Sequence, residues 1–395
     1  MNILFISPIP IIPVSYFGGI ERVTDILSRE LQRRGHCVVF LCYMDKNVLS
    51  HNKFSAPQYY ISENIDSDEL ERCRYIKIIE RHKITHVVCQ ACNEHTANFV
   101  KYLPKPLQHK TVFTCHIVPF YSDMITRTRI WQTPTHNARQ LVFKIVSFVF
   151  PCIYKLWFSN DHKKNFEAVF SIAKRICFIS DKFYHNVITH IPNAPLEKFT
   201  YIYNPNTFDK QENVPTYCER EDAVLWAARV ENTPKNIIGF LDTWKIFFQN
   251  HKDWKAYVVG DGNDLEYSKR YASKNHIKGI YFEGAQSCME LYYKKCKFFC
   301  MTSYWESWGM VVTEAMTFGC VPIAMNNYAT LTDIIDDGVN GLICKPTAVE
   351  MAKKLNSIAT DEEIWLELSN NAKQKAMNFD VSTIAQKWEQ LLNGL

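Results

Sequence analysis

Short apolar runs alternate with amphipathic segments along the whole chain, and this alternation is the strongest constraint on the fold. Runs such as NILFIS and HCVVFLCY are rich in β-branched and aromatic residues, as buried strands are. The segments between them, such as GIERVTDILSRELQRRG, space their apolar residues helically and end on Gly. Strands that alternate with helices predict parallel sheets with helices on both faces, because each parallel connection needs a crossover.

The alternation begins twice, which predicts two doubly wound α/β domains. At 395 residues the chain is longer than a single hydrophobic core usually supports. The segment KFTYIYNPN closes the first half, and AVLWAARV begins the second. We therefore predict an N-terminal Rossmann-like domain over residues 1–203 and a C-terminal one over 204–380. Residues 381–395 form an amphipathic helix. The dinucleotide fingerprint G-x-G-x-x-G is absent, which argues against a Rossmann oxidoreductase.

The cysteines and the start of the sequence bear on the cellular compartment. The 14 cysteines are scattered and mostly lie in apolar runs, and Met1 leads directly into an apolar strand without a basic leader. These features predict reduced thiols and a cytoplasmic location. Cys89 and Cys92 form one C-x-x-C with His95 nearby, which is a weak signal for a metal or redox site. Buried free thiols explain the same pattern better.

The segment WESWGMVVTEAMTFGCVPIA places Glu306 and Glu314 on either side of an apolar stretch, with seven residues between them. Its pattern predicts a loop, a short helix with Ser307 as N-cap, a stop at Gly319 and a strand. Glu306 would then lie beside the free N–H groups of the helix start, which suit phosphate or sugar oxygens. Because a carboxylate can accept two hydroxyls, the pair suits a polyhydroxyl ligand. The alternative is an ordinary helix with two surface glutamates.

This segment resembles the Glu–seven–Glu signature of the retaining glycosyltransferases of family 4, which have the GT-B fold. The resemblance implies two Rossmann-like domains facing across a cleft, with the C-terminal helix packing back onto the first domain. The first domain would bind the acceptor and the second the nucleotide sugar. Glu306 would lie at the donor sugar and Glu314 would hold the nucleotide ribose. The donor-binding residues implied between them are Ser307, Trp308, Gly309, Met310 and Val311.

Two further segments match the family in the expected order. SYFGGIERV places Gly18 and Gly19 at a helix start, where the resemblance implies contact with the donor diphosphate. WAARVENTPKN resembles the family's Arg–Lys element, so Arg229 and Lys235 would clamp the pyrophosphate without a metal ion. Two departures are Ala228, where Gly is usual, and an Arg-to-Lys spacing one residue longer than the commonest form.

Smaller matches add to the implied site. Gly260 in VVGDG follows a strand at the sheet edge where α/β ligands bind, and Gly284 in FEGAQ falls where the family holds the nucleobase. Asp333 replaces the usual Glu of a later segment. His116 ends an apolar strand, where the family often has a His facing the donor, although a lone His after a strand is usually structural. Because no D-x-D pair follows a strand, we predict no metal ion.

Positive charge concentrates in residues 101–176, which hold twelve Lys and Arg against three acidic residues. The apolar run RQLVFKIVSFVFPCIYKLWF lies within it and is too interrupted for a transmembrane helix. We predict that residues 127–176 lie on an anionic membrane surface. A buried helix with a solvated basic face is the alternative, and no nucleic-acid-binding motif accompanies the charge. The apolar contacts with the membrane would come from Phe148, Phe150, Trp157 and Phe158.

Together these features predict a retaining, metal-independent glycosyltransferase (EC 2.4). It would use a nucleotide-diphosphate sugar as donor substrate, without a cofactor, and a lipid-linked saccharide as acceptor, in surface polysaccharide or glycolipid synthesis. It would be cytoplasmic and peripheral at the inner face of the membrane, and nucleic acid would not be a partner. The alternatives are a sugar-nucleotide epimerase of the same architecture and a catalytically silent binding subunit. The sequence does not name the sugar, the nucleobase, the acceptor or the oligomeric state.

Overall fold

The computed structural model describes residues 1–11, 19–44, 55–121 and 138–395, which form two compact units. The first unit comprises residues 1–205 and 384–395, and the second comprises residues 206–383. Within the described residues each unit is built on one parallel sheet. The predicted fold class of two doubly wound α/β units is confirmed.

The strands of the first unit are short, and its central strands are almost wholly buried, as their apolar runs predict, whereas the two edge strands are partly exposed. They are β1 (Asn2–Ser7), β2 (Cys37–Cys42), β3 (Gln58–Tyr60), β4 (His86–Cys89), β5 (Thr111–Cys115), β6 (Arg175–Phe178) and β7 (Phe199–Tyr201). Their order in the sheet is β3-β2-β1-β4-β5-β6-β7. The helices of this unit are α1 (Gly19–Arg33), α2 (Glu69–Arg81), α3 (Glu94–Lys101), α4 (Lys105–Gln108), α5 (Ala138–Val149), α6 (Pro151–Ile172) and α7 (Lys182–His190).

The second unit repeats the plan. Its strands are β8 (Glu221–Ala227), β9 (Lys255–Val259), β10 (Ile280–Gly284), β11 (Cys296–Met301), β12 (Val321–Met325) and β13 (Leu342–Cys344). Their order is β10-β9-β8-β11-β12-β13. The helices are α8 (Ile237–Phe247), α9 (Leu265–Lys274), α10 (Met289–Lys295), α11 (Met310–Thr317), α12 (Leu331–Ile334), α13 (Ala348–Ile358) and α14 (Glu362–Ala376), and α15 (Val381–Asn393) ends the described fold.

The C-terminal helix contributes to the first unit's core. Trp388 and Leu392 of α15 pack in the same buried cluster as Phe5 of β1. The Glu389 carboxylate accepts from Arg34 Nη1 at 3.0 Å. Apolar burial and a partly buried ion pair therefore both hold residues 384–395 in the first unit.

The strand order of each sheet reverses once, which determines where a ligand can bind. In the second unit the reversal lies between the neighbouring strands β8 and β11, whose following loops run to opposite sides. Ligands of open α/β sheets bind at the carboxyl ends of the strands beside such a point. The loops after β8 and β11 carry residues 228–236 and 302–309, and these segments contain the predicted Arg229, Lys235 and Glu306.

Helices α5 and α6 expose an unusual amount of apolar surface. Pro151 begins α6, because its ring fits the first helical position, and Phe150 separates the two helices. No helix in the described part of the chain is both long and apolar enough to cross a membrane. Among the described side chains of residues 138–157, these ten apolar ones are between 38% and 66% exposed: Leu141, Val142, Ile145, Val146, Phe148, Val149, Phe150, Ile153, Leu156 and Trp157.

Candidate active site

Lys235 and Glu306, predicted from separate motifs, meet at the switch point of the second unit. The Lys235 Nζ lies 2.5 Å from the Glu306 Oε1, and the two side chains are 19% and 14% exposed. Ser303 Oγ donates to the same Oε1 at 2.9 Å. The Glu306 Oε2 accepts no hydrogen bond from any described residue. One carboxylate oxygen is thus held by the protein, and the other is open to a hydroxyl donor.

The two loops that carry this pair are tied to each other. Thr302 Oγ1 donates to the Asn236 carbonyl at 3.0 Å, and the Tyr304 amide donates to the Pro234 carbonyl at 2.8 Å. Asn236 takes a left-handed conformation with φ 55° and caps α8 by accepting from the Gly239 amide. A side-chain cap and cross-loop bonds of this kind fix the backbone on which the ion pair stands.

The glycine turns after β9 pack directly on the loop after β8. A Cβ on Gly260 would lie 1.9 Å from the Ala228 carbonyl oxygen, and one on Gly262 would lie 2.5 Å from the Val230 carbonyl oxygen. The Gly260 amide also donates to the Gly284 carbonyl at 2.8 Å. Both turns therefore require glycine for close backbone approach, and Gly260 and Gly284 share the sheet edge with the ion pair.

Arg229 lies on the same loop but extends into solvent. Its side chain is 70% exposed, and its Nη1 lies 3.4 Å from the Glu231 Oε1. Among the described residues it makes no contact with Lys235 or Glu306. Its proposed convergence with Lys235 on a diphosphate would require the long Arg side chain to change rotamer, which an exposed arginine does readily.

The predicted N-cap at Ser307 is wrong. Helix α11 begins at Met310, and Gly309 precedes it with φ +88°, a conformation that side-chain-bearing residues rarely adopt. Ser307 instead lies in the preceding loop, where its carbonyl accepts from Thr330 Oγ1 at 2.9 Å. The helix start that could meet an anion is therefore formed by Met310 and Val311, both half-buried. The predicted stop at Gly319, with φ +68°, is confirmed.

Trp308 and Glu314 of this segment are buried. Trp308 is 2% exposed and meets the Phe379 ring edge to face, with centroids 5.3 Å apart. Glu314 is 1% exposed, and its carboxylate accepts from Thr207 Oγ1 at 2.6 Å and from the Tyr293 hydroxyl at 2.7 Å. A ribose would therefore have to share these oxygens with the two hydroxyls, so the ribose role of Glu314 stays a prediction.

The predicted residues of the first unit lie at the carboxyl edge of its own sheet. His116 follows β5, and its Nε2 is hydrogen-bonded to the Gln90 side chain. Burial lowers the pKa of His116 to about 4, and a hydrogen bond with Asn204 opposes this change only partly. The imidazole is therefore neutral at pH 7. Gly19 begins α1, whereas Gly18 lies outside the described residues.

The cysteines are free, including Cys89 and Cys92 of the C-x-x-C. Burial raises the pKa of the Cys89 thiol well above its usual value, which makes it a poor thiolate. A hydrogen bond with the Cys115 thiol and burial do the same for Cys92. In the part of the chain that the structure describes, no group of three or more His, Cys, Asp or Glu side chains could hold a metal ion.

Three residues around the site were not predicted from the sequence. Ser303 and Tyr293 hold the two glutamates, and Tyr328 is buried near Glu306. A serine, a tyrosine in YYKK and a tyrosine in NNYAT carry no motif of their own. Only the fold brings them to the site, so single-sequence patterns offered no signal for them.

Comparison with known proteins matches both halves of the chain to glycosyltransferases. Residues 17–205 match the family model described as glycosyltransferase family 4, and residues 208–376 match glycosyl transferases group 1. The chain is 28% identical over 199 residues to an undecaprenyl-diphosphate-saccharide α-1,4-N-acetyl-D-galactosaminyltransferase of Campylobacter jejuni, with coverage of 50% of this chain and 55% of the relative.

A second relative and a solved structure extend the match. The chain is 26% identical over 261 residues to an α-1,3-N-acetylgalactosaminyltransferase of C. jejuni that acts on diacetylbacillosaminyl-diphospho-undecaprenol, covering 62% of this chain and 64% of that protein. These curated matches thus span only 55% and 64% of the relatives' own lengths. The fold is similar to that of Anabaena HepE in complex with UDP, with a TM-score of 0.73, 17% identity and full coverage of both chains. Since the two family models match in succession and both units have the doubly wound plan of the GT-B fold, the chain belongs to glycosyltransferase family 4.

Proposed function

We propose that the chain transfers a sugar from a nucleotide-diphosphate sugar to a lipid-linked saccharide, with retention of anomeric configuration and without a metal ion. The observation that carries the proposal is the Lys235–Glu306 pair at the switch point of the second unit, 2.5 Å apart and less than one-fifth exposed. A cation and a carboxylate with an open oxygen suit the two ends of a sugar diphosphate.

The proposed reaction is a front-face displacement. The bond between the sugar anomeric carbon and the diphosphate oxygen breaks as an acceptor hydroxyl attacks from the same face, and the hydroxyl proton passes to the departing diphosphate. Lys235 and Arg229 stabilise the negative charge that develops on the diphosphate, and the free N–H groups of Met310 and Val311 assist. The open oxygen of Glu306 accepts a hydroxyl of the donor sugar and fixes its orientation.

The remaining predicted residues are assigned roles toward the same donor substrate. Glu314 would hold the ribose, Gly260 and Gly284 would admit the nucleotide close to the backbone, and neutral His116 would serve the donor sugar as a hydrogen-bonding group. The lipid-linked acceptor is supported by the two C. jejuni relatives, whose names specify undecaprenyl-diphosphate saccharides. UDP is the first nucleotide to test, because the HepE structure holds it.

The test of the function is a donor and acceptor screen. UDP- and GDP-sugars are incubated with the chain and a synthetic polyprenyl-diphosphate N-acetylhexosamine, and products are examined by mass spectrometry and NMR. A glycosidic product with the anomeric configuration of the donor supports the proposal. An inverted product contradicts retention, an isomerised nucleotide sugar indicates an epimerase, and no consumption of any donor contradicts transfer.

We also propose that α5 and α6 dock on an anionic membrane surface, near which a lipid-linked acceptor would be found. Five basic residues accompany the exposed apolar side chains of this pair, against two acidic ones. Soluble proteins rarely expose so continuous an apolar patch, and lysines and arginines near anionic lipids each contribute about 1 kcal/mol. The basic residues are Arg139, Lys144, Lys155, Lys163 and Lys164, and residues 127–137 of the predicted segment lie outside the described residues.

Vesicle flotation tests the membrane proposal. The double variant Val142→Asp/Leu156→Asp changes two side chains that are 60% and 66% exposed, so the fold should tolerate it. The matched control is Leu70→Asp, which changes a side chain that is 71% exposed on α2 of the same unit. Wild type and the control should float with phosphatidylglycerol-containing vesicles at low salt, and the double variant should not. Phe158 is unsuitable because its half-buried ring packs on Tyr121 with centroids 4.6 Å apart. Equal flotation of all three proteins, or flotation of none, would contradict the proposal.

A further inference from the structure

The loop between β12 and α12 is hydrogen-bonded to the loop that carries Glu306. Asn327 Nδ2 donates to the Ser303 carbonyl at 3.0 Å, and Thr330 Oγ1 donates to the Ser307 carbonyl at 2.9 Å. Tyr328 lies between these two anchors. The sequence NNYAT therefore places one tyrosine side chain behind the segment that begins with Glu306 and ends at the start of α11.

The Tyr328 hydroxyl is buried and lacks a partner. The side chain is 4% exposed, and its oxygen makes no hydrogen bond within the described residues. This oxygen lies 2.9 Å from the point that a Cβ on Gly309 would occupy, so it fits only because residue 309 is glycine. Buried hydroxyls nearly always have a partner, and an exception calls for a reason such as a catalytic role.

Glu306 is the charged group that acts on this hydroxyl. Burial, and to a smaller extent the Glu306 charge, raise the pKa of Tyr328 well above its ordinary value. The hydroxyl therefore keeps its proton throughout the neutral range and can serve as a donor. Glu306 offers an acceptor, since the protein's bonds from Lys235 and Ser303 both go to its Oε1.

We propose that Tyr328 is a positioning residue that donates to the Glu306 carboxylate once a donor substrate is bound. A diphosphate competes with Glu306 for Lys235, because both are anions beside one ammonium group. As Lys235 turns to the diphosphate, Glu306 loses a partner, and the Tyr328 hydroxyl replaces it. The carboxylate then stays oriented toward the sugar during transfer. This inference rests on the proposed function. It adds Tyr328, from the loop between β12 and α12, to the residues of that site.

The test is Tyr328→Phe, which removes one oxygen and keeps the ring. With the best UDP- or GDP-sugar of the donor screen, kcat should fall by about tenfold or more, the scale of losing a hydrogen bond to a charged group. KM for the donor should change by less than about threefold, because the bond forms only after the donor has bound. The Tm should stay level or rise, because an unpaired buried hydroxyl is removed.

Tyr75→Phe is the matched control. Tyr75 is also fully buried, and its hydroxyl also has no hydrogen-bond partner among the described residues, but it lies on α2 of the first unit. The Tm of Tyr75→Phe should likewise stay level or rise relative to wild type, and its kcat should equal that of wild type. A Tyr328→Phe enzyme with wild-type kcat overturns the proposal, and so does a lowered Tm, which would indicate a purely structural bond.

A double variant tests whether Tyr328 acts through Glu306. If it does, Glu306→Gln/Tyr328→Phe should be no slower than Glu306→Gln alone, because the group that Tyr328 positions has already been changed. If the fold-losses in kcat of the two single variants multiply in the double variant, the proposal is overturned. If Glu306→Gln is inactive and Tyr328→Phe is fully active, this inference fails and the proposed function stands. If wild type consumes no sugar nucleotide, both fail.

Discussion

Breaking the Lys235–Glu306 pair should damage stability and catalysis by different, separable amounts. Exposed ion pairs contribute up to about 1 kcal/mol, and losing one partner of a fully buried pair costs about 3–5 kcal/mol. The two side chains are 19% and 14% exposed, between these limits. We therefore expect Lys235→Met to lower the free energy of unfolding by about 2 kcal/mol.

Glu306→Gln keeps the shape of the side chain and allows a double-mutant cycle. The Lys235→Met/Glu306→Gln protein should be less destabilised than the sum of the single variants by about 1–2 kcal/mol, because the two residues share one interaction. In turnover, Lys235→Met should cost about a hundredfold in kcat, or roughly 2.7 kcal/mol, the scale of losing a preorganised charged donor.

Urea unfolding followed by tryptophan fluorescence measures the stability part. Six of the nine tryptophans lie in residues 206–383, so the signal mainly follows the unit that holds the pair. Initial rates with a nucleotide sugar measure the catalytic part. Strictly additive unfolding free energies would refute the coupling. A Lys235→Met protein with wild-type kcat would refute the role of the cation at the diphosphate.

Further predictions concern residues around the pair and the first unit. Arg220→Met should destabilise the second unit by about 3 kcal/mol or more, because the 5% exposed guanidinium donates to four backbone carbonyls, and an unchanged Tm would contradict this. Glu314→Ala should weaken UDP binding measured by calorimetry more than it lowers kcat, and unaltered UDP affinity would exclude a ribose contact. Arg229→Ala should lower kcat by about a hundredfold with little change in Tm, because its side chain is 70% exposed, and full activity would remove it from the site. The pKa of His116 is about 4 when folded and near 6.5 when unfolded, so stability present above pH 6.5 is lost as pH falls toward 4, by about 3 kcal/mol. His116→Asn should flatten that slope in melts across this interval, and an unaltered slope would assign the loss to other groups.

The fold was predictable because buried strands require short runs of apolar residues, which can be recognised in the sequence. A parallel strand covered on both faces must be apolar throughout, so NILFIS, CVVFLC and CKFFCM stand out in the sequence. The glycine turn at Gly260 was predictable for a related reason. A Cβ at this position would lie 1.9 Å from the Ala228 carbonyl oxygen, so only glycine fits there.

The motif residues of the candidate site were predictable one by one, but their pairings were not. Lys235 and Glu306 lie 71 residues apart, and no sequence period indicates that they share a hydrogen bond. The helix start was misplaced because Ser307 is a good N-cap by type, whereas the left-handed Gly309 decides where α11 begins. Tyr328 gave no signal, because a buried tyrosine without a partner looks like any core aromatic until its surroundings are known.

The sequence alone likewise did not decide whether α5 and α6 are exposed or buried. An apolar run with interspersed lysines fits a core helix and an interfacial helix equally well. The difference is decided by what packs against the pair, and in the structure Leu156 and Val142 remain 66% and 60% exposed.

The central claim is that the second unit holds a nucleotide-diphosphate sugar at the Lys235–Glu306 pair. The direct test is the Tm of wild type and Lys235→Met with a panel of UDP- and GDP-sugars at millimolar concentration, since a ligand that binds the folded state raises Tm by mass action. We predict that at least one sugar nucleotide raises the wild-type Tm by several degrees and that the variant loses most of this shift. No shift with any member of the panel, or an equal shift in both proteins, would contradict the claim.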